Sequence, residues 1–592
     1  MKYLIYSLLI ITMITACQSP SSDKAHNASR PFGAMMEAYY QDYLKLYPLE
    51  ATAQGDNRYN DQLPNNLTKA FKQKEKDFYS KYLGLLEEYD PERLSPEDAM
   101  SYNTLKWQCE MALEGLEFPT ELMPVDQFWS LQITIGQLAS GSSYQPFETP
   151  EDYDNWLNRM IGFLAWTDTA MVNMKKGMEQ GYVLPRALTE KVIPQFKDFT
   201  KLPVKENIFY SPIMNLPDSF SALNKTRLIN VYHKTIELRM VPTFEKFVDF
   251  LENEYLPASR NSAGITATPM GADYYKYRIK YFTTTEMTAD EVFVLGESEV
   301  ARISAEMEKV KEQVGFEGEL IDFFEYVRTK PELMPYTEPE QVIEHFNEIH
   351  ERMKPNLNKL FSLKPKTPFV VKRTEAFREA SASAEYIPGS LDGSRPGTFY
   401  VPIPDVTEYN IFSDESLFLH EAIPGHHYQI SLQQENEDLP SFRKSLWYSA
   451  YGEGWALYSE SLGQELGLYT DPYQYFGMLS AEIHRAIRLV VDAGIHAKGW
   501  TREQAIRYSL EHEAESEASI ISEIERYMAG PGQALSYKIG QLKIRELRKN
   551  AQEALGEDFD VKEFHARILE SGCVPLQLLE DKVNNWVNEE RK

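Results

Sequence analysis

Three of the eleven histidines in this chain fall in one eight-residue stretch, His420-Glu421-Ala422-Ile423-Pro424-Gly425-His426-His427. A second stretch, Glu453-Gly454-Trp455-Ala456-Leu457-Tyr458-Ser459-Glu460, follows about thirty residues later. Imidazole and carboxylate are common zinc ligands, and a glutamate beside them can take a proton from water. The pattern predicts a site for one zinc ion, with hydrolysis as its chemistry.

In the common HExxH arrangement, two histidines four residues apart share a helix face and hold one ion. Here Pro424 occupies the second of those positions. His427, three residues further on, would lie about 10 Å from His420 along an ideal helix, too far for nitrogen bonds of about 2.0–2.1 Å. Pro424-Gly425 supplies a distortion, since proline ends the hydrogen-bond ladder and glycine tolerates unusual backbone angles. A local bulge would bring His426 to the second ligand position. His420 and His426 are therefore the expected ligands, with His427 the alternate. Glu453 is the expected third ligand, with Gly452 and Gly454 letting backbones approach. Glu421 is the expected general base, passing a proton from water to the leaving amine. Glu460, seven residues after Glu453 on the same helical face, is expected to hold a ligand histidine by a hydrogen bond.

Other groups could complete such a site. His484, Arg488, Asp492 and His496 recur every four residues in an otherwise apolar segment, which places them in one slowly drifting stripe. Polar groups there must be hydrogen-bonded or line a cleft. His496 is the expected contact to substrate, Arg488 a binding residue and Asp492 a supporting one; an internal Arg488–Asp492 ion pair is the competing reading. Tyr527 or Tyr537 is expected to donate to a tetrahedral oxyanion. Arg526 or Lys538 is expected to bind a terminal carboxylate.

The elements that must position these groups read as mostly helical. Ser95, Thr288, Thr337 and Thr501 each precede an acid or amide by three residues, as in a capping box. Phe369-Val370-Val371-Lys372 and Thr398-Phe399-Tyr400-Val401 predict a small β-hairpin or sheet just before the His-Glu segment. An edge strand beside an active-site helix could hold a peptide backbone.

At 592 residues the chain is long enough for two or more subdomains, and 43% hydrophobic with 25% charged residues is ordinary for a globular protein. A net charge of -28 argues against nucleic acid as a partner. Met1-Lys2, the apolar run Leu4 to Ile14 and then Ile14-Thr15-Ala16-Cys17 predict an export signal over 1–16. The ending resembles a bacterial lipobox, which implies lipidation at Cys17, membrane anchoring and residence in the cell envelope. Residues 17–30 read as a polar tether, 31–287 as an N-terminal helical lobe, and 288–592 as a C-terminal lobe carrying the metal site. Cys109 and Cys573 could pair in an oxidising compartment or remain two buried thiols.

The HExxPGHH and EGWALYxE stretches resemble the large bacterial family catalogued as domain of unknown function 885. The likeness continues through Arg488-Leu489-Val490-Val491-Asp492 with Gly494-Ile495-His496, then Gly499-Trp500-Thr501-Arg502-Glu503-Gln504-Ala505. It also takes in Glu525-Arg526-Tyr527 and Pro531-Gly532-Gln533-Ala534-Leu535. That family is similar in turn to helical zinc peptidases with a glutamate third ligand, such as angiotensin-converting enzyme and thermostable carboxypeptidases. The resemblance implies a mainly α, two-lobed metallopeptidase-like fold around a deep cleft. The chain departs from the peptidase pattern by two extra residues between the histidines.

Together these readings predict an exported, lipid-anchored zinc metallopeptidase that cleaves short peptides. A non-catalytic substrate-binding lipoprotein on the same fold is one alternative. A metal-dependent amidase acting on cell-wall fragments is another.

Overall fold

A computed structural model describes residues 32–592, except 142, 376–378, 380–381 and 391–394. The signal, the tether and Cys17 lie outside the described residues. Within them the chain is mainly helical with one small sheet. No helix among the described residues is long and apolar enough to cross a membrane.

The capping signals start helices where local chemistry demands it. Ser95 accepts from the Asp98 N–H, and Thr288 and Thr501 form reciprocal capping boxes with Glu291 and Gln504. At the fourth position the cap is Glu338 rather than Thr337. Pro339 fits the first helical turn, and the Gln341 side-chain oxygen Oε1 accepts from both Thr337 and Glu338 N–H groups.

The helices that bear on the argument are α1 (Pro150–Gln180), α2 (Gly271–Thr283), α3 (Ala289–Gln313), α4 (Asp414–Glu421), α5 (His426–Glu435), α6 (Ser449–Glu460), α7 (Pro472–Ala497), α8 (Glu517–Ala529) and α9 (Ser536–Leu555). One apolar core lies in the N-terminal part. There Trp156, Phe163 and Met174 of α1 pack with Phe196, Tyr232 and Phe244. A larger core gathers Phe418, Leu419, Trp455, Ile487, Leu489 and Ile544 from α4, α6, α7 and α9. Tyr275 and Ile279 of α2 also belong to this second core. Burial of such side chains stabilises by about 1.5–3 kcal/mol each before conformational entropy is charged.

Glycines let the central helices approach. A Cβ on Gly454 of α6 would lie 2.5 Å from the Gly540 Cα of α9, and one on Gly540 would strike the Ala450 carbonyl. On α3, a Cβ at Gly296 would come within 2.8 Å of Leu489 and Val490 side-chain atoms of α7. Gly452 serves differently, because the Trp447 indole lies across it.

The β-type runs form a mixed three-stranded sheet rather than a simple hairpin. β1 (Phe369–Arg373) pairs parallel with β3 (Gly397–Val401), and β2 (Glu385–Ile387) pairs antiparallel with β3, in the order β1-β3-β2. Tyr386 of β2 reaches His427 of α5, so the sheet braces the histidine segment directly. Cys109 and Cys573 are separate buried thiols, and burial pushes both up to about 12.

Candidate metal centre

The His-Glu stretch is two helices with a break, not one bulged helix. α4 ends at Glu421, and α5 begins at His426 with Gly425 as its cap. The break turns tightly back on α4: a Cβ at Gly425 would collide with the carbonyl oxygens of Leu419 and His420. The Trp455 indole of α6 donates to the Pro424 carbonyl at 2.8 Å and pins the turn. Only glycine fits there, and its consequence is that His426 comes back beside His420.

The two imidazole rings stand 4.9 Å apart, centre to centre, and nearly perpendicular. Glu453 Oε2 lies 3.6 Å from His420 Nε2 and 3.4 Å from His426 Nε2. All three ligand atoms fall within 4.8 Å of one another. Two donors each about 2.0–2.1 Å from a tetrahedral ion are about 3.4 Å apart, so this set fits zinc. His420 Nδ1 donates to Glu460 Oε1 at 2.7 Å, and Ser416 donates to the other Glu460 oxygen at 2.6 Å. That bond fixes the tautomer and leaves Nε2 for the site. Burial opposes charge on His420, but the Glu453 and Glu460 carboxylates beside the ring outweigh it and lift the imidazole to about 9. Burial also opposes charge on Glu453, yet the two histidines hold its carboxyl well below the usual range.

His427 does not join this cluster. Its Nδ1 meets Tyr386 Oη at 2.9 Å, its ring packs 5.1 Å from Phe369, and burial presses it down to about 4. Adjacent residues on a helix point about 100° apart, so only one of the pair can face Glu453. Glu421 sits beside the ligands. Burial raises its carboxyl pKa, opposed by the charges of His420 and His426 and, more weakly, of Arg485.

α7, α8 and α9 supply a polar wall. Arg488 Nε donates to Tyr527 Oη at 3.0 Å, and its Nη2 donates to Glu523 at 2.9 Å. Its guanidinium lies 4.5 Å above the Tyr537 ring. Burial raises the Tyr537 hydroxyl, as does the Glu453 charge, whereas Arg488 opposes them. Tyr527 donates its proton to Glu523 at 2.7 Å. Tyr537 merely accepts a long 3.5 Å bond from Gln533. Of the two tyrosines, Tyr537 keeps a proton to donate.

Four of the expected site residues have partners of their own in the structure. His496 is a staple: its Nδ1 accepts from the Ile265 N–H and its Nε2 donates to the Tyr527 carbonyl, both at 3.0 Å. It is fully buried, and burial pulls it down to about 3. Asp492 pairs with neither Arg488 nor a ligand histidine; it accepts from Tyr275 at 2.6 Å and from the Gly532 N–H. Burial pushes its carboxyl up to about 7, against those bonds. Lys538 is fully buried among Glu482, Glu299 and Gln541 and has no free donor direction for substrate. Arg526 spends its three nitrogens on Glu523 and Gln533. A polar residue on a buried helix reads identically whether it faces substrate or a neighbouring backbone.

Three contributors escape sequence reading. Ser416 lies one turn before His420, which is the only signal for it. Glu523, four residues before Tyr527, ties together His484, Arg488, Arg526 and Tyr527. Trp447, 42% exposed, stands 5.8 Å from the His426 ring.

The model of a family described as bacterial protein of unknown function (DUF885) matches residues 48–583. The chain belongs to the DUF885 family. The crystal structure of a candidate lipoprotein from Colwellia psychrerythraea is similar, with a TM-score of 0.85 and 28% identity over 94% of this chain and 99% of that one. A candidate lipoprotein of unknown function from Shewanella oneidensis shares the fold, with a TM-score of 0.74 and 20% identity over 93% and 99% of the respective chains. No curated protein matches the DUF885 chain significantly.

Proposed function

We propose that this DUF885 protein is an exported zinc-dependent hydrolase of peptidase type, acting on short peptides. The observation that carries the reading is the convergence of His420, His426 and Glu453 within zinc-bonding reach, with Glu421 beside them. Bound there, zinc supplies Lewis-acid polarisation of water and of a carbonyl.

The chain's own residues do the rest. Glu460 and Ser416 hold the His420 ring. Glu421, next to the ligand His420 in the chain, takes a proton from water and delivers it to the leaving amine. Tyr537 donates to the negative charge that develops on the carbonyl oxygen. The reading includes a metallopeptidase-like, two-lobed fold around a cleft, and a lipid anchor at Cys17. The two lipoprotein relatives support the anchor.

Zinc content of the purified chain and its His420→Ala variant tests the proposal. About one ion per chain, lost in the variant and accompanied by turnover of unblocked peptides, is the expected result. A chain that takes up no zinc, or binds it and cleaves no peptide in a broad library, overturns it.

A further inference from the structure

One face of α7 carries positive charge that the metal centre does not use. Arg485 and Arg488 are three residues apart, hence neighbours on the helix surface. Arg488 is 7% exposed, and three of its contacts are with Tyr527, Glu523 and His484. Its remaining nitrogen, Nη1, is fully buried and has no acceptor among the described residues. Among the described residues Arg485 donates only to the Ala481 carbonyl, at 3.2 Å, and its buried Nε likewise has no acceptor there. It forms no ion pair with a carboxylate among the described residues. A buried, unpaired guanidinium N–H costs free energy that a native fold rarely leaves uncompensated.

Arg488, Arg526 and His484 share two carboxylates, Glu513 and Glu523. Burial works against charge on His484, but Glu513 and Glu523 outweigh it and raise its pKa. Arg488 is stacked 4.5 Å from the Tyr537 ring, and α9 carries Tyr537 against α6 at the Gly454–Gly540 contact, next to Glu453. Arg488 and its helix neighbour Arg485 therefore lie beside the groups assigned to hydrolysis.

We infer that Arg485 and Arg488 form a carboxylate subsite that holds a free carboxylate of the substrate next to the bond cleaved. Guanidinium N–H groups bind carboxylates by short charge-assisted bonds, and each of these arginines keeps one buried donor without an acceptor among the described residues. The inference rests on the hydrolase reading and deepens it. A substrate held by its terminal α-carboxylate at this place is cut near its C-terminus, which makes the protein a carboxy-exopeptidase. A side-chain carboxylate of an acidic residue offers the same chemistry, and the test separates the two.

The experiment compares three versions of one short peptide on the zinc-loaded full chain: free C-terminus with a penultimate glutamate, amidated C-terminus with that glutamate, and free C-terminus with glutamine in its place. Binding of the same three to Glu421→Gln is measured by calorimetry. A terminal-carboxylate subsite predicts a roughly 10- to 100-fold loss of kcat/KM and affinity on amidation alone. Loss on the glutamine exchange alone assigns the subsite to an acidic side chain. Arg485→Gln and Arg488→Lys should each shrink the difference between charged and neutral peptides. Arg485→Gln serves where Arg488→Lys disturbs folding, because Arg485 forms no ion pair among the described residues whose loss would strand a carboxylate. Equal turnover and binding of all three peptides by a working enzyme overturns the subsite and leaves the hydrolase standing. No turnover of any form sinks the hydrolase reading together with the subsite.

Discussion

Glu421 and Glu460 lie beside the same histidine, yet their chemistry predicts opposite failures. Glu421 makes no hydrogen bond to a ligand ring, whereas Glu460 fixes His420 through a 2.7 Å bond. Glu421→Gln should therefore keep zinc and lose roughly 10²- to 10⁴-fold in kcat, measured with metal analysis on the same sample. Glu460→Gln should weaken zinc binding roughly 10- to 100-fold, read by competition with a chelating dye, because the amide holds the ring without a charge. Unaltered zinc affinity in Glu460→Gln would refute its orienting role. Tyr537→Phe should lower kcat more than Tyr527→Phe lowers it through local chemistry, since Tyr527 has already given its proton to Glu523. These assignments differ in legibility. Glu453 and Glu460 are visible in the sequence because seven-residue spacing keeps one helix face. Arg485 is not, because only the lack of an acceptor distinguishes it from any surface arginine, and that is a property of the assembled protein.

At the scale of elements, the site depends on two close approaches made possible by glycine. The Gly425 turn returns α5 onto α4, and Gly454 on Gly540 seats α6 against α9. Neither approach tolerates a methyl group without backbone movement. Gly454→Ala should cost about 1–3 kcal/mol in denaturant stability and, by pushing α6 outward, weaken zinc binding as well. A variant that loses stability with intact zinc affinity would show that α6 can move without carrying Glu453. The Pro424-Gly425 pair announces a distortion in the sequence, and His426 follows from it. Its form is not announced: a bulge and a full break with a fresh helix start present the same residues. The sheet shows the same limit. Two β-type runs are plain, whereas their parallel pairing follows from the short strand Glu385–Ile387 intervening, whose three residues carry little signal.

Across the whole molecule, buried histidines set a pH limit on stability. His496 and His565 are fully buried, and burial depresses both to about 3. His565 is held by the Leu360 carbonyl and the Tyr458 hydroxyl. Their ordinary value in the unfolded chain is near 6.5, so below that pH the unfolded state binds more protons than the folded one. Stability is thus present above about 6.5 and falls as pH drops toward 3, by roughly 1.4 kcal/mol per pH unit for each histidine. Melting temperature should decline steadily from pH 6.5 to 4, and His565→Gln should flatten the decline. An unchanged slope in that variant would place the acid sensitivity elsewhere. The exposed tryptophans offer a different way to watch the protein. Trp447 stands beside His426, and Trp129, 47% exposed, lies with its ring 6.0 Å from the Arg526 guanidinium. One indole thus flanks the metal half of the site and the other the arginine half. Intrinsic fluorescence of the unlabelled chain should therefore report a quenching ion such as cupric copper at one end and an anionic ligand at the other, each by its own change in emission.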